Sequence, residues 1–342
     1  MIRVGINGFG RIGRALTRIA SGMEDLKVVA INDIDGDKKN LAYLLKYDSV
    51  YGQFDKNVIL KKKNLFVNNN SIKFYTSKKI EKVPWTRDKI DIVIDATGLS
   101  RNINKSKSIL RSGVKKVLLT HSPKTGPDFY MVLGANEKKY NNKKHNIIST
   151  SICDASALSP ILKEIDEKYK IETGFVTTLH SILSYQNLLD GSLKSVSNPT
   201  HKWKDYSLGR NSTLSLIPKN TTSVNAVEKI LPNIKNKLSG ISFRVPTNIV
   251  CGSDISIKVK KSLNIRELKT FLKNLSKNNK NIYKYEEEKL VSIDHLGTTK
   301  SLIIDANYLN VLHSKYIKII IWYDNEWGYS NRVLDIAKKI LK

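Results

Sequence analysis

Only two cysteines, Cys153 and Cys251, occur in the 342 residues of this chain. Two cannot build a disulfide framework, and neither lies in a CxxC or Cys/His cluster. No metal site is therefore expected, and a reactive thiol becomes worth considering. The six histidines are scattered without ligand spacing. No apolar run reaches the roughly 18 residues of a membrane-spanning helix, so no membrane partner is expected. Met1 leads directly into the strand-like Ile2-Arg3-Val4-Gly5-Ile6, which leaves no room for a signal peptide. The expected compartment is the cytoplasm. Internal repeats and disordered linkers are missing as well.

Acid is scarce: 31 Asp and Glu stand against 58 Lys and Arg, a net charge of +27. A basic stripe interleaved with aromatics would indicate nucleic acid. Here the lysines fall in small groups, such as Lys61-Lys62-Lys63 and Lys260-Lys261, along the whole chain. The charge reads as a solvated Lys-rich surface that attracts anionic substrates in general, and nucleic acid is not an expected partner.

What is present is enough for about two domains. Through the first 150 residues or so, short apolar runs at Ile2–Asn7, Val28–Asn32, Ile90–Asp95 and Val117–Thr120 alternate with helix-like spacing at Arg11–Ala20 and Asn104–Arg111. Strands apolar nearly throughout suit a parallel sheet buried on both faces, so this part reads as a doubly wound α/β domain. After Ser149–Cys153 comes a helix with Leu158, Ile161, Leu162 and Ile165 on one face. From Gly174 the pattern is strand-rich: Phe175–Leu179, Ile241–Val245, Ile249–Val259, Lys289–Ile293, Ser301–Ile304 and Tyr316–Trp322 predict a mixed or antiparallel sheet. Asn331–Leu341 is helical. The expected division is a dinucleotide-binding domain over 1–152, with a C-terminal helix over 329–342 returning to it, and a catalytic domain over 153–328.

Gly8, Gly10 and Gly13 form a GxGxxG pattern that follows a strand and opens a helix. The glycines permit a tight turn, close approach of backbone to a pyrophosphate, and close helix–strand packing; the helix N-terminus supplies amides and the positive end of its dipole. Asp33 ends the second strand, where a carboxylate holds the ribose hydroxyls of NAD and repels a 2′-phosphate. Cys153 sits where a loop turns into a helix, a position that favours its thiolate. His180 follows the strand Phe175–Leu179, whose end could present it to the cysteine. Cys251 lies inside a strand-like run and reads as a small buried hydrophobe.

Further motifs carry a family resemblance. The stretch around Asn7, Gly8, Phe9, Gly10, Arg11, Ile12 and Gly13, then Ile31-Asn32-Asp33, Leu41–Gly52, Ala96-Thr97-Gly98, Thr177-Thr178-Leu179-His180, Arg244-Val245-Pro246 and Trp322–Tyr329 fall in order along the chain. Together they resemble a glyceraldehyde-3-phosphate dehydrogenase over essentially the whole length. The resemblance implies a Rossmann NAD-binding domain, an α+β catalytic domain with a mixed sheet, and a homotetramer. It implies Cys153 as nucleophile and His180 as general base for oxidising a small aldehyde through a thioester. Asn325 would orient the nicotinamide carboxamide with Tyr329 nearby, and Asn32, Thr97 and Gly98 would line the cofactor site. Arg244, Arg210 and Thr221 would hold substrate phosphate.

The chain departs from the family pattern at the phosphate-handling positions. The Ser usually before the cysteine is Ile152 and the Thr after it is Asp154; a usual Thr past the histidine is Leu183, and a usual Arg is Leu208. An ionised Asp154 would oppose phosphate, since like charges 4 Å apart cost ~4 kcal/mol at an effective dielectric of about 20. The thioester would then pass to water or another acceptor, as in the erythrose-4-phosphate dehydrogenase branch, which Thr120-His121 and Leu183 also resemble. A substrate without phosphate is the related alternative. Gly191-Ser192 resemble family members that take NADP, whereas Asp33 favours NAD. The loop over 191–204 is longer than usual for the family.

Overall fold

A computed structural model of the protein describes residues 1–62, 64–192 and 205–341. Two compact units divide it, Met1–Ser156 with Tyr329–Lys342, and Ala157–Gly328. Among the described residues the helices are α1 (Arg11–Ala20), α2 (Lys38–Lys46), α3 (Arg101–Arg111), α4 (Cys153–Tyr169), α5 (Ser223–Ile230), α6 (Ile265–Asn278) and α7 (Trp327–Leu341).

The first unit contains β1 (Ile2–Asn7), β2 (Leu26–Asn32), a small ribbon of β3 (Tyr47–Asp48) and β4 (Gly52–Gln53), then β5 (Val58–Lys61), β6 (Asn64–Val67), β7 (Asn70–Tyr75), β8 (Ile92–Asp95), β9 (Lys116–Leu119), β10 (Phe129–Tyr130) and β11 (Ile147–Ser149). Apart from the ribbon they form one sheet in the order β10-β11-β9-β8-β1-β2-β7-β6-β5. Pairing is parallel from β10 to β7 and antiparallel in the β7-β6-β5 meander. Each central strand feeds two cores. Val4, Ile6, Ile92, Ile94 and Leu118 face one, while Val93, Val117, Leu119, Ile147 and Trp85 belong to the other. A Cβ on Gly5 would lie 2.7 Å from the Trp85 ring, so only glycine fits between them. From α7, Val333, Leu334, Ile336, Ala337 and Ile340 complete the first core. Each large aliphatic side chain buried this way contributes roughly 1.5–3 kcal/mol.

The second unit holds β12 (Ile171–Ser181), β13 (Ile217–Asn220), β14 (Leu238–Val245), β15 (Cys251–Val259), β16 (Tyr283–Glu286), β17 (Leu302–Asp305), β18 (Asn310–Leu312) and β19 (Tyr316–Tyr323). Its sheet runs β13-β14-β12-β15-β19-β17-β16, with β18 beside β19. Parallel pairs β12–β14 and β16–β17 are mixed with antiparallel ones, as the strand-rich pattern predicts. On α4, Leu158, Ile161, Leu162 and Ile165 are buried. Asn264 and Glu267 close a capping box at the start of α6.

Two sequence expectations need correction. Lys289–Ile293 is not a strand: the Asp294 side chain accepts the Val291 amide at 2.8 Å and turns the chain into a short 3-10 segment, leaving Val291 and Ile293 exposed. His180 does not follow its strand but is the penultimate residue of β12, which is longer than its apolar stretch suggests.

Candidate active site

In the first unit three polar side chains meet at the carboxyl ends of neighbouring strands. Register places Asn7 opposite both Asn32 and Asp95. The Asn32 amide donates to Asn7 at 2.7 Å, and Asn7 donates to Asp95 at 2.9 Å. Thr97 and Asn102 also donate to the buried Asp95 carboxylate. Asn32 further bonds both the carbonyl and the amide of Ser77. Asn32 and Thr97, both expected near the cofactor, are thus joined in one polar network with Asn7 and Asp95.

The glycine turn follows β1 directly and leads into α1. Gly8 has φ +93°, and a Cβ on Gly13 would sit 2.1 Å from the Gly8 carbonyl oxygen, so the strand and α1 can cross only without one. A Cβ on Gly10 would meet nothing, and no side chain caps α1 there. Asp33 accepts the Phe9 amide at 2.5 Å and the Asp35 amide at 2.9 Å, and it stays partly exposed with lone pairs to spare. Open backbone at an uncapped helix start, followed by a fixed carboxylate at the end of β2, fits the pyrophosphate and ribose of NAD. Gly98, at φ +69°, turns the chain just after β8. Ile12 packs on the core. The Arg11 side chain pairs with Asp48 at 3.1 Å, leaving its backbone to serve the turn. Burial raises the Asp48 pKa, but the amides of Tyr51 and Val50 and the Arg11 guanidinium outweigh it and hold the carboxyl below its ordinary value.

A second strand–turn–helix in this unit carries Cys153. Between β11 and α4 the turn passes through Ser151 at φ +61°, a left-handed conformation costly for a residue with a side chain. Bonds from outside hold it. Ser149 Oγ accepts the Ser151 amide at 3.0 Å and donates to the His121 carbonyl at 2.6 Å. Tyr329, from α7, donates its hydroxyl to the Ser151 carbonyl at 3.0 Å and pairs with Thr150 Oγ1 at 2.8 Å. Burial pushes the Tyr329 phenol far above its usual pKa, so it remains a neutral donor. Cys153 is the first residue of α4 and packs against the core, and its Sγ donates to Asp154 Oδ1 at 3.5 Å. The Asp154 side chain is buried beside it. Both ring nitrogens of His121, whose carbonyl accepts from Ser149, are buried without a hydrogen-bond partner among the described residues, and burial lowers its pKa.

In the second unit the parallel pairing of β12 and β14 sets His180 opposite Arg244, with Thr178 and Ser242 one step below and bonded at 2.7 Å. His180 Nδ1 lies 2.7 Å from the Ser181 carbonyl oxygen. A carbonyl can only accept, so Nδ1 carries the hydrogen and Nε2 is the basic nitrogen. Arg244 is buried, and its Nε and Nη1 have no protein partner among the described residues, a costly state that an anion would relieve. Ser181 Oγ donates to Asn325 Oδ1 at 3.3 Å, which orients the amide so that its –NH2 is presented. Asp324 holds the same turn by accepting the amides of Gly297, Glu326 and Trp327. Cys251 is buried against Ser181, as a small hydrophobe would be.

Other expected phosphate ligands are engaged elsewhere. Arg210 forms an exposed ion pair with Asp190 at 2.8 Å, and Thr221 Oγ1 bonds Ser223 at the start of α5. Most of the extended 191–204 loop, residues 193–204, lies outside the described residues. Sequence reasoning missed Ser181 as a support for Asn325, because the two are 144 positions apart. It also missed Asp95 and Asn102, which no spacing rule singles out.

Comparison with known proteins agrees with this architecture. Residues 2–103 match the family described as glyceraldehyde 3-phosphate dehydrogenase, NAD binding domain, and residues 152–325 match its C-terminal domain. The chain is 38% identical to glyceraldehyde-3-phosphate dehydrogenase 1 of Kluyveromyces marxianus, covering 99% of this chain and 100% of that protein. It is 39% identical to the Buchnera aphidicola glyceraldehyde-3-phosphate dehydrogenase, over 99% and 98% of the two chains. Glyceraldehyde-3-phosphate dehydrogenase 3 of Saccharomyces cerevisiae is 37% identical over the full length of both. With both halves matched and full-length relatives at this identity, the chain belongs to the glyceraldehyde-3-phosphate dehydrogenase family of NAD-dependent oxidoreductases.

Proposed function

We propose that Cys153 is the nucleophile and His180 the general base of an NAD-dependent aldehyde oxidation. The observation that carries this reading is the placement of Cys153 as the first residue of a 17-residue helix, on a turn held open at a left-handed residue. The helix N-terminus favours the thiolate, which attacks the aldehyde carbon to give a thiohemiacetal. His180, with its proton on Nδ1, accepts the hydroxyl proton at Nε2 as the carbonyl re-forms. Bound NAD supplies the hydride acceptor. The glycine turn and Asp33 hold its dinucleotide end, and Asn325, set by Ser181, orients its carboxamide. Arg244 binds an anionic group on the substrate; Arg210 and Thr221 would join it as phosphate ligands only on leaving Asp190 and Ser223. The relatives' names make glyceraldehyde 3-phosphate the aldehyde to test first.

The assembly is proposed as a homotetramer and its compartment as the cytoplasm. Phe175, Leu179 and Ile241 support assembly, because they expose apolar surface on one face of adjacent strands. No described helix is long and apolar enough to cross a membrane. Cys153→Ser tests the chemistry: NADH formation should fall at least about 10³-fold while NAD affinity persists. Retained turnover in that variant would refute the assignment.

A further inference from the structure

The buried carboxylate of Asp154 lies 3.5 Å from the reacting sulfur, accepts its hydrogen, and sits on the same first turn of α4. A negative first-turn residue suits the helix dipole, but that requirement does not by itself direct the side chain at the thiol. Two consequences follow from the contact. An anionic acyl acceptor approaching an ester of this sulfur meets a carboxylate beside it. Neutral water does not, and a carboxylate is a competent base for it.

We propose that Asp154 is a catalytic residue that directs the Cys153 thioester to water, making this chain a hydrolysing rather than a phosphorylating aldehyde dehydrogenase. The proposal rests on the Cys153 thioester proposed above. In the step, Asp154 removes a proton from a water molecule as its oxygen bonds to the thioester carbon. The carbon–sulfur bond then breaks, the sulfur leaves as thiolate, and Asp154 returns the proton to Sγ. The product is a carboxylic acid, which ionises, and the thiol stands again bonded to Asp154 as the structure shows it. No oxidation occurs in this half, since the hydride has already left.

The test uses the full chain with NAD and glyceraldehyde 3-phosphate in ¹⁸O-labelled water, with and without inorganic phosphate. The wild-type protein should give a carboxylate containing one solvent ¹⁸O, at a rate indifferent to phosphate, and no acyl phosphate by ³¹P NMR. Asp154→Asn should still show a burst of one NADH per site, then turn over about 10²-fold more slowly, with the acyl group held on Cys153 and visible by intact-protein mass. Asp154→Thr, which removes the charge and restores a hydroxyl, should yield acyl phosphate when phosphate is added. Phosphate-dependent acyl phosphate from the wild type would overturn the proposal, as would full steady-state turnover in Asp154→Asn. Absence of any NADH from the wild type is a distinct failure: it removes the Cys153 reading beneath the proposal, whereas NADH formed with the wrong product removes only the role of Asp154.

Discussion

The first unit contains two strand–turn–helix junctions that solve the same geometric problem by different means. Between β1 and α1 the chain turns on glycines, with Gly8 at positive φ and Gly13 pressed against the Gly8 carbonyl. Between β11 and α4 the positive φ falls on Ser151, which carries a side chain. The first turn is built from local backbone freedom. The second is held by distant groups: Ser149 Oγ against the His121 carbonyl, and the Tyr329 hydroxyl from the last helix. The difference suits their tasks. On the roles proposed above, a phosphate needs bare backbone to approach and a nucleophile needs a fixed sulfur. The glycine turn is tied at Phe9 to Asp33 but leaves Gly10 open, whereas the Cys153 turn is held at the strained residue itself.

Breaking the glycine turn should have the largest effect. In Gly13→Ala the new methyl collides with the Gly8 carbonyl, so α1 must move off the strand. Stability should fall by about 1–3 kcal/mol in a denaturant melt. NAD affinity should fall at least tenfold in a fluorescence titration. Unchanged affinity would show that α1 can shift without losing the dinucleotide.

Breaking the second turn from outside should be milder and more selective. Tyr329→Phe strips the hydroxyl from Thr150 and from the Ser151 carbonyl, which costs about 1–3 kcal/mol for the buried groups left behind. Its effect should appear in kcat more than in the NAD Kd, because the turn it holds carries Cys153. An equal fall in both would mean that Tyr329 serves the cofactor directly.

The smallest effect should sharpen the comparison by making the second turn resemble the first. Ser151→Gly relieves a left-handed side-chain residue worth roughly 1–2 kcal/mol and gives back about 0.5–1 kcal/mol in chain entropy. The Ser151 hydroxyl has no partner among the described residues, so little is lost with it. The variant should be slightly more stable by thermal melt and slower in turnover. A less stable protein would show that the strain is repaid by a contact of the serine itself.

Legibility in the sequence followed the range of the interactions involved. The strands from Ile2–Asn7 to Ile90–Asp95 were readable because burial on both faces demands apolar residues throughout. The Lys289–Ile293 stretch misled because its apolar residues imitate a strand, while one Asp294 bond to the Val291 amide decides a turn. His180 was found from its strand, yet its tautomer depends on the Ser181 carbonyl placed beside its ring.

By itself the sequence determined the two-part organisation, through the change of apolar pattern along its length. It also determined the dinucleotide turn, the thiol at a helix start and the acid beside it, because each of these three is written within a dozen neighbouring residues. Tertiary structure decided what those residues do to one another. It brought Tyr329 to the Cys153 turn, set Ser181 on Asn325, aligned His180 with Arg244, and aimed Asp154 at the sulfur. The first three join residues tens to hundreds of positions apart, and the last depends on the side-chain direction that burial imposes, so no local pattern could have specified them.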